Sequence, residues 1–365
     1  MDLAPGRATP QGTSAHLPAR RARPGLGGLW LSSIGMGTYL GPPDEATDRL
    51  YEEAAREALR LGCNVLDCAI NYRFQRSERA LGAALGAALA GGLDREAVVV
   101  CTKAGFIPLD PETMQDPNRY LHTELLAPGV LSFEDLTGAH AMTPRFLRHQ
   151  ASCSRRNLGL GTLDLFYLHN PDVQVRGRSP EDFWARLRAC LEELERMADD
   201  GWIGCYGLAT WNALRVLPES PEHLSLQRVV DLAREVGGEG HRFRAVQAPF
   251  SLGMPEALAA STQELGGHLV PLWKAATELG LTTFSSVSLG QGALASGLPL
   301  GLQQAMPDLP GDAARALQFT RSAPGLTTAL VGMRNPDHVR ANLALLDAPA
   351  LAPEVLEDCL DLVLS

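Results

Sequence analysis

The stretch AVVVCTK, residues 97–103, is the clearest buried strand in the sequence, because its apolar residues follow one another without polar alternation. A segment with apolar residues at helical spacing precedes it at residues 77–92 and begins with Ser77, a residue type that caps helices. A similar segment, TPRFLRHQASCSRRNLG, follows at residues 143–159. A buried strand between two amphipathic helices predicts a parallel sheet with helical crossovers.

The same alternation extends along the chain, with further helices predicted at residues 49–62 and 180–199. No G-x-G-x-x-G motif follows an early strand, and eight strands with helices between them over about 300 residues match a closed barrel better than an open doubly wound sheet. The predicted fold class is therefore α/β, a (β/α)8 TIM barrel. The predicted strands are residues 34–38, 64–69, 97–103, 162–169, 203–207, 243–248, 281–286 and 327–332.

Two segments lie outside the repeating units. Residues 1–27 carry four arginines and no apolar core segment, which predicts an N-terminal leader, flexible or folded as a hairpin, ahead of a single domain at residues 28–365. Residues 104–143 make the connection after the third strand much longer than a crossover requires. We expect this insertion at the catalytic end of the barrel, as a lid or substrate wall, or else as a surface excursion with its own small core.

Composition excludes several classes of protein. The 32 basic and 42 acidic residues leave a net charge of −10, which argues against a nucleic-acid partner. No apolar run reaches the ~18 residues that a membrane-spanning helix needs. Seven cysteines without a C-x-x-C pair, and a leader without a secretory signal, predict free thiols and a cytoplasmic location. His122, His140 and His149 lack metal-ligand spacing, so we expect no metal site.

Lysine is rare in this chain: of 32 basic residues only Lys103 and Lys274 are lysine. A sequence that supplies positive charge with arginine has a specific reason to keep a lysine. Lys274 lies on a predicted helix and we expect it to reach solvent. Lys103 ends a buried strand, where an isolated ammonium is costly and needs a carboxylate partner.

Ionisable residues lie at or near the ends of three successive predicted strands: Asp67, Lys103 and His169. In a barrel these ends meet at one mouth, and Tyr72 lies in the loop that leaves the strand of Asp67. Asp67 is therefore the expected partner of Lys103, and the ammonium is expected to lower the pKa of Tyr72 from ~10 toward neutral pH. Tyr72 would then serve as a proton donor, with His169 orienting a substrate carbonyl.

The stretch LDCAINYRFQRSERALGAAL, residues 66–85, resembles the aldo-keto reductase pattern D-[TS]-A-x-x-Y-G-x-x-x-S-E-x-x-L-G-x-A-L. Cys68 stands in place of the small hydroxyl residue and Arg73 in place of the glycine. VVVCTK and DLFYLHNPD are similar to the lysine and histidine motifs of that family, and the similarity continues to about residue 345. The resemblance implies a (β/α)8 barrel that reduces an aldehyde or ketone with NADPH, or runs the reverse oxidation, with Asp67, Tyr72, Lys103 and His169 as its catalytic residues.

The resemblance also assigns residues to the cofactor and the substrate. Gln247 matches the glutamine that binds the nicotinamide carboxamide, and Arg334 the residue that faces the 2′-phosphate. Tyr39, Phe106 and His169 are the expected substrate contacts. The expected cofactor contacts are Thr38, Asp67, Ala209, Thr210, Gln247, Ser286, Leu289, Gly290, Gln291, Gly292, Gly332, Met333, Arg334, His338 and Asn342.

Departures from the family pattern concern the nicotinamide end. Ala209 and Thr210 replace a usual Ser-Asn pair, and Ser286 replaces the tyrosine that stacks on the nicotinamide. Phe284 or Phe250 is a candidate to supply the missing ring.

Two alternatives to a reductase stay open. One is a cofactor-binding regulatory subunit with low turnover, which the altered nicotinamide contacts favour. The other is a barrel aldolase with Lys103 as a Schiff-base lysine, which a neighbouring Asp67 disfavours because it keeps the amine protonated. In each enzyme the partner is a small carbonyl or alcohol, and the sequence does not define the oligomeric state.

Overall fold

Eight parallel strands close into a barrel in the computed structural model, which describes residues 3–110, 112 and 116–365. Each strand pairs in parallel with the next along the chain, and the last pairs with the first. The predicted (β/α)8 fold is confirmed, and every predicted strand overlaps an observed one. The strands are β1 Ile34–Gly37, β2 Val65–Asp67, β3 Val99–Ala104, β4 Leu163–His169, β5 Ile203–Ala209, β6 Phe243–Pro249, β7 Thr282–Ser286 and β8 Thr328–Gly332.

Helices cover the outside of the barrel, and polar caps begin several of them. Asp44, Thr143 and Ser179 each accept a hydrogen bond from a first-turn N–H. Ser77 was predicted to cap its helix, which is wrong: the helix begins after Gln75, and the Ser77 hydroxyl donates to the Thr38 carbonyl. The crossover helices are Glu45–Arg60, Arg76–Ala90, Pro144–Leu158, Pro180–Asp199, Leu226–Gly237, Leu272–Glu278 and Asp312–Ser322, and Pro336–Leu343 and Pro353–Leu364 follow β8.

Short elements fill the connections. A small hairpin, Ser261–Leu265 with His268–Pro271, precedes the crossover helix to β7. Short helices also lie at Asp172–Gly177, Glu256–Ala259 and Leu300–Ala305, with 3-10 turns at Ala19–Arg21, Arg95–Ala97, Phe133–Asp135, Gly290–Ala295 and Ala344–Asp347.

The insertion at residues 104–143 folds at the carboxyl end of β3, apart from residues 111 and 113–115, which lie outside the described residues. It contains the short helix Pro117–Tyr120, a π-helical turn Leu121–Leu126, and a two-residue hairpin at Leu136–Thr137 and His140–Ala141. Leu125, Leu131 and Ala141 pack with Phe146 in a cluster separate from the main core. The insertion therefore has a small core of its own, while Phe106 at its base reaches the central cavity.

The N-terminal segment packs against the opposite end of the barrel. It forms the helix Pro10–His16 and the hairpin Ala22–Gly25 with Leu29–Ser32, so residue 27 lies in the hairpin turn. Ala8, Leu26 and Leu31 join the apolar cluster inside the barrel. No helix among residues 3–110, 112 and 116–365 is long and apolar enough to cross a bilayer.

A buried carboxylate fixes this segment to the barrel. Asp164 on β4 accepts from the Ala8 N–H at 2.6 Å and the Val100 N–H at 2.8 Å, and pairs with Arg95 at 2.7 Å. The Asp164 carboxylate thus links β4, which carries it, to β3, to the buried Arg95 guanidinium and to the leader.

We expect Asp164→Ala to destabilise the protein by about 3–5 kcal/mol, because it leaves the buried Arg95 guanidinium without its carboxylate. Asp231→Ala, which removes an exposed partner of Arg234, is the matched control and should change stability by less than about 0.5 kcal/mol. Equilibrium unfolding in urea measures both. Equal effects of the two substitutions would contradict the role of Asp164.

Candidate active site

A buried ion pair lies where the barrel strands end. Lys103 Nζ donates to Asp67 Oδ1 at 2.5 Å and to the Cys68 carbonyl at 2.8 Å, and the lysine is fully buried. Gln247 Nε2 donates to the second oxygen of Asp67 at 3.0 Å. Burial alone would lower the pKa of Lys103, but the adjacent Asp67 charge and hydrogen bond raise it above its usual value. The amine therefore stays an ammonium at neutral pH.

Tyr72 packs against this ammonium. Lys103 Nζ lies 4.9 Å from the centre of the Tyr72 ring. Burial raises the pKa of Tyr72, while the Lys103 charge acts in the opposite direction. The expected fall of this pKa toward neutral pH is therefore wrong, because desolvation of the phenolate outweighs the ammonium. The phenol is protonated at neutral pH, which is the state a proton donor needs.

The loop after Tyr72 is held in an uncommon conformation. Arg73, Phe74 and Gln75 all have positive φ, of 48°, 56° and 67°. At Arg73, where the family pattern has glycine, contacts hold the strained backbone: the guanidinium donates to the Pro42 carbonyl at 3.0 Å and to Asp48 at 2.6 Å. These contacts compensate for the absence of glycine and fix the turn that carries Tyr72.

His169, the last residue of β4, faces the same space. Its ring lies 5.7 Å from the Tyr72 ring and 5.2 Å from the Phe106 ring, both edge to face. Burial, together with the Lys103 charge, lowers the pKa of His169 well below its usual value, so the imidazole is neutral. Its Nδ1 is buried and has no hydrogen-bond partner among the described residues.

A second histidine, from the insertion, supports the first. His140 Nε2 donates to the His169 carbonyl at 2.7 Å, and its Nδ1 accepts from Gln174 at 3.0 Å. Burial lowers the pKa of His140 to about 4, so this ring is neutral too. The insertion therefore contacts the backbone of a candidate catalytic residue, a link that the spacing of His140 in the sequence did not indicate.

These residues border a cavity of about 740 Å³ at the carboxyl ends of the strands. Lys103 lies beneath it, behind Asp67 and Tyr72. Three predicted cofactor residues, Gly290, Met333 and Arg334, do not line it, and Arg334 is exposed and extends toward Gly41. The predicted residues that do line it are Thr38, Tyr39, Asp67, Tyr72, Phe106, His169, Ala209, Thr210, Gln247, Ser286, Leu289, Gln291, Gly292, Gly332, His338 and Asn342.

The cavity offers polar groups where the resemblance places the nicotinamide. Thr210 Oγ1 is buried and has no hydrogen-bond partner in the described part of the chain. With Gln247 and Ser286 it provides hydrogen-bonding atoms that fit a carboxamide. The proposed aromatic replacements are wrong: Phe284 packs against Tyr167 inside the barrel and Phe250 against Phe319 outside it, and neither lines the cavity.

Several lining residues were not predicted as site residues. Asn71 and Asn170 follow strand ends and could have been found from that position alone. Trp211 was expected to be either core or pocket wall, and it is a wall residue that is 41% exposed. Val287 has a φ of 61°, unusual for a β-branched residue, and nothing in the sequence signals it.

One carboxylate orders the loop that carries Thr210 and Trp211. Asp172 Oδ2 accepts from the N–H groups of Trp211, Asn212 and Ala213, at 3.1, 2.6 and 2.8 Å. Asp172 is 2% exposed. Three donors on one buried oxygen hold the loop against the cavity.

Comparisons with known proteins give the family and the fold of the chain. A model of the aldo/keto reductase family matches residues 33–225, and the chain belongs to that family. An aldo-keto reductase from Bacillus halodurans in its holo form superposes with a TM-score of 0.64 at 18% identity, covering 94% of this chain and 96% of that one. An aldo/keto reductase from Klebsiella pneumoniae in complex with NADP and acetate gives 0.62 at 18% identity, with coverages of 94% and 95%. The aldose reductase from Schistosoma japonicum gives 0.58 at 20% identity, with coverages of 94% and 92%.

We expect Asp172→Ala to accelerate amide hydrogen exchange at residues 211–213 by roughly tenfold or more, because three N–H groups lose their acceptor. Asp172→Asn keeps one acceptor oxygen and should give a smaller change. Exchange in Asp172→Ala that matches the unmodified protein would show that other contacts order this loop.

Proposed function

We propose that this protein reduces an aldehyde or ketone to an alcohol with NADPH, or runs the reverse oxidation, using Tyr72 as the proton donor. The observation that carries the proposal is the Tyr72 phenol packed on the buried Lys103–Asp67 pair, beside a neutral His169 at the cavity. Family membership supports oxidoreductase chemistry in general. The tyrosine's role and the substrate are our inference.

The cofactor assignment has support from the cavity and from related structures. Two aldo-keto reductase structures from Klebsiella pneumoniae are complexes with NADP and with NADPH. In this chain Thr210, Gln247 and Ser286 would hold the nicotinamide end, and His338 and Asn342 the adenosine end. Gly332 would also border the adenosine end. Arg334 would have to turn from its exposed position to reach the 2′-phosphate. When bound, NADPH supplies a hydride to the carbonyl carbon and leaves as NADP⁺.

The residues of the chain handle the proton. Tyr72 donates its hydroxyl proton to the carbonyl oxygen as the C=O π bond breaks and an O–H bond forms. Two of the three ammonium N–H groups of Lys103 bind Asp67 and Cys68, and the third stabilises the phenolate that Tyr72 becomes. His169, uncharged, hydrogen-bonds the carbonyl oxygen and directs it toward the phenol.

The structure bears on the two alternatives differently. A Schiff-base aldolase needs a neutral amine at Lys103, and the Asp67 charge that raises the pKa of this lysine opposes it. A cofactor-binding regulatory subunit would use the same cavity with negligible turnover. NADPH oxidation measured with a panel of carbonyls separates that subunit from a reductase.

Tyr72→Phe is expected to lower kcat by about 10²–10⁴-fold, because the proton donor is lost while the ring remains. Cofactor affinity, measured by fluorescence titration with NADPH, should change by less than about threefold. Tyr206→Phe removes a phenol outside the cavity and should retain activity. Retained turnover in Tyr72→Phe would rule out the tyrosine as donor.

The pKa directions of Tyr72 and His169 predict that neither residue changes its protonation state just below neutral pH. Burial raises the pKa of Tyr72, so the phenol keeps its proton at every pH below the usual tyrosine pKa of about 10. Burial lowers the pKa of His169 well below 6.5, so the imidazole stays neutral where a free histidine takes up a proton. Reductive kcat should therefore vary by less than about twofold from pH 7.5 to pH 6. A tenfold loss over this interval would indicate that His169 takes up a proton there.

A further inference from the structure

The cavity contains almost no charge. Among the described residues that line it, Asp67 is the only aspartate, glutamate, lysine or arginine, and Lys103 neutralises it from below. Arg334, the one lysine or arginine among the predicted cofactor contacts, is exposed and outside the lining. A substrate carboxylate or phosphate near His169 would lose water without meeting a side-chain cation, which is costly.

Aromatic rings flank the two residues that would bind the carbonyl oxygen. The Tyr39 ring lies 5.0 Å from the Tyr72 ring, and the Phe106 ring lies 5.2 Å from the His169 ring, both edge to face. Tyr39 is 55% exposed and lines the cavity, as does the partly exposed Trp211. Tyr39 and Trp211 therefore present apolar surface in the cavity that a bound substrate would cover.

Phe106 is held firmly at the base of the insertion. Its carbonyl accepts from Gln150 Nε2 at 2.6 Å, and the next residue, Ile107, donates its N–H to the Ala139 carbonyl at 2.9 Å. The ring also meets His140, at 5.0 Å. A ring fixed before binding loses little conformational entropy when a flat substrate packs against it.

We propose, resting on the function proposed above, that the substrate is an uncharged aromatic aldehyde or ketone, and that Phe106 and Tyr39 determine this specificity. The reacting carbonyl lies at Tyr72 and His169, and the substrate ring lies between the Phe106 and Tyr39 side chains. Substrates whose ring carries an anion are selected against because the cavity has no cation for them.

A matched pair of aldehydes tests the charge selection. Methyl 4-formylbenzoate and 4-formylbenzoate share the ring and the aldehyde, and differ in the charge at the far end. With NADPH in excess we expect kcat/KM for the ester to exceed that for the acid by about tenfold or more. Equal values, or a preference for the acid, would overturn the proposal.

Two phenylalanines of the insertion test the aromatic contact. Phe106→Ala should lower kcat/KM for methyl 4-formylbenzoate by about tenfold and for propanal by less than about threefold, since propanal has no ring to pack. Phe133→Ala, which truncates a ring that is 72% exposed and does not line the cavity, is the control and should change neither value. An equal loss for both aldehydes in Phe106→Ala would show that the ring acts only on the fold of the site.

Adding a cation gives the converse test. Leu40 lines the cavity beside Tyr39, and Leu40→Arg should raise kcat/KM for 4-formylbenzoate relative to the ester by about fivefold or more, with Leu40→Gln as the neutral control. No gain relative to Leu40→Gln would contradict charge selection. If no carbonyl, propanal included, is reduced by the unmodified protein, the proposed function itself fails.

Discussion

The buried ion pair between Lys103 and Asp67 is the interaction on which the site depends. An ammonium that is fully buried requires a carboxylate and further acceptors, and here Asp67 and the Cys68 carbonyl supply them at 2.5 and 2.8 Å. Gln247 restrains the other carboxylate oxygen. Arginine, which the chain otherwise uses almost throughout, would not fit, because its planar guanidinium is larger than the compact ammonium.

The barrel brings these partners together from distant parts of the sequence. Asp67 and His169 end β2 and β4, Lys103 is the last residue but one of β3, and the turn after β2 presents Tyr72 above them. Around this centre, two side chains from the loops hold the walls: Arg73 fixes a left-handed turn and His140 binds the backbone of His169. The chemistry we propose needs a protonated phenol and a neutral imidazole, and burial produces both states.

The sequence was sufficient to predict the barrel and to predict that Asp67, Tyr72, Lys103 and His169 lie together, because strand ends in a parallel barrel must converge on one mouth. It was insufficient for the sign of the pKa change at Tyr72, since that depends on how deeply the phenol is buried as well as on the neighbouring charge. The sequence was also insufficient to show that the Phe284 and Phe250 rings face away from the cavity, or that Arg334 lies outside its lining. Those positions depend on side-chain packing that strand alternation does not specify.

Labelling the chain with lysine enriched in ¹⁵N at Nζ tests the central claim most directly, because Lys103 and Lys274 are its only lysines and Lys274 is 61% exposed. The Lys103 signal is assigned by its loss in Lys103→Met. We predict that it keeps the chemical shift of an ammonium up to about pH 11, above the usual lysine pKa of about 10.4. Conversion of that signal to a neutral amine below about pH 9 would contradict the ion pair as the basis of the site.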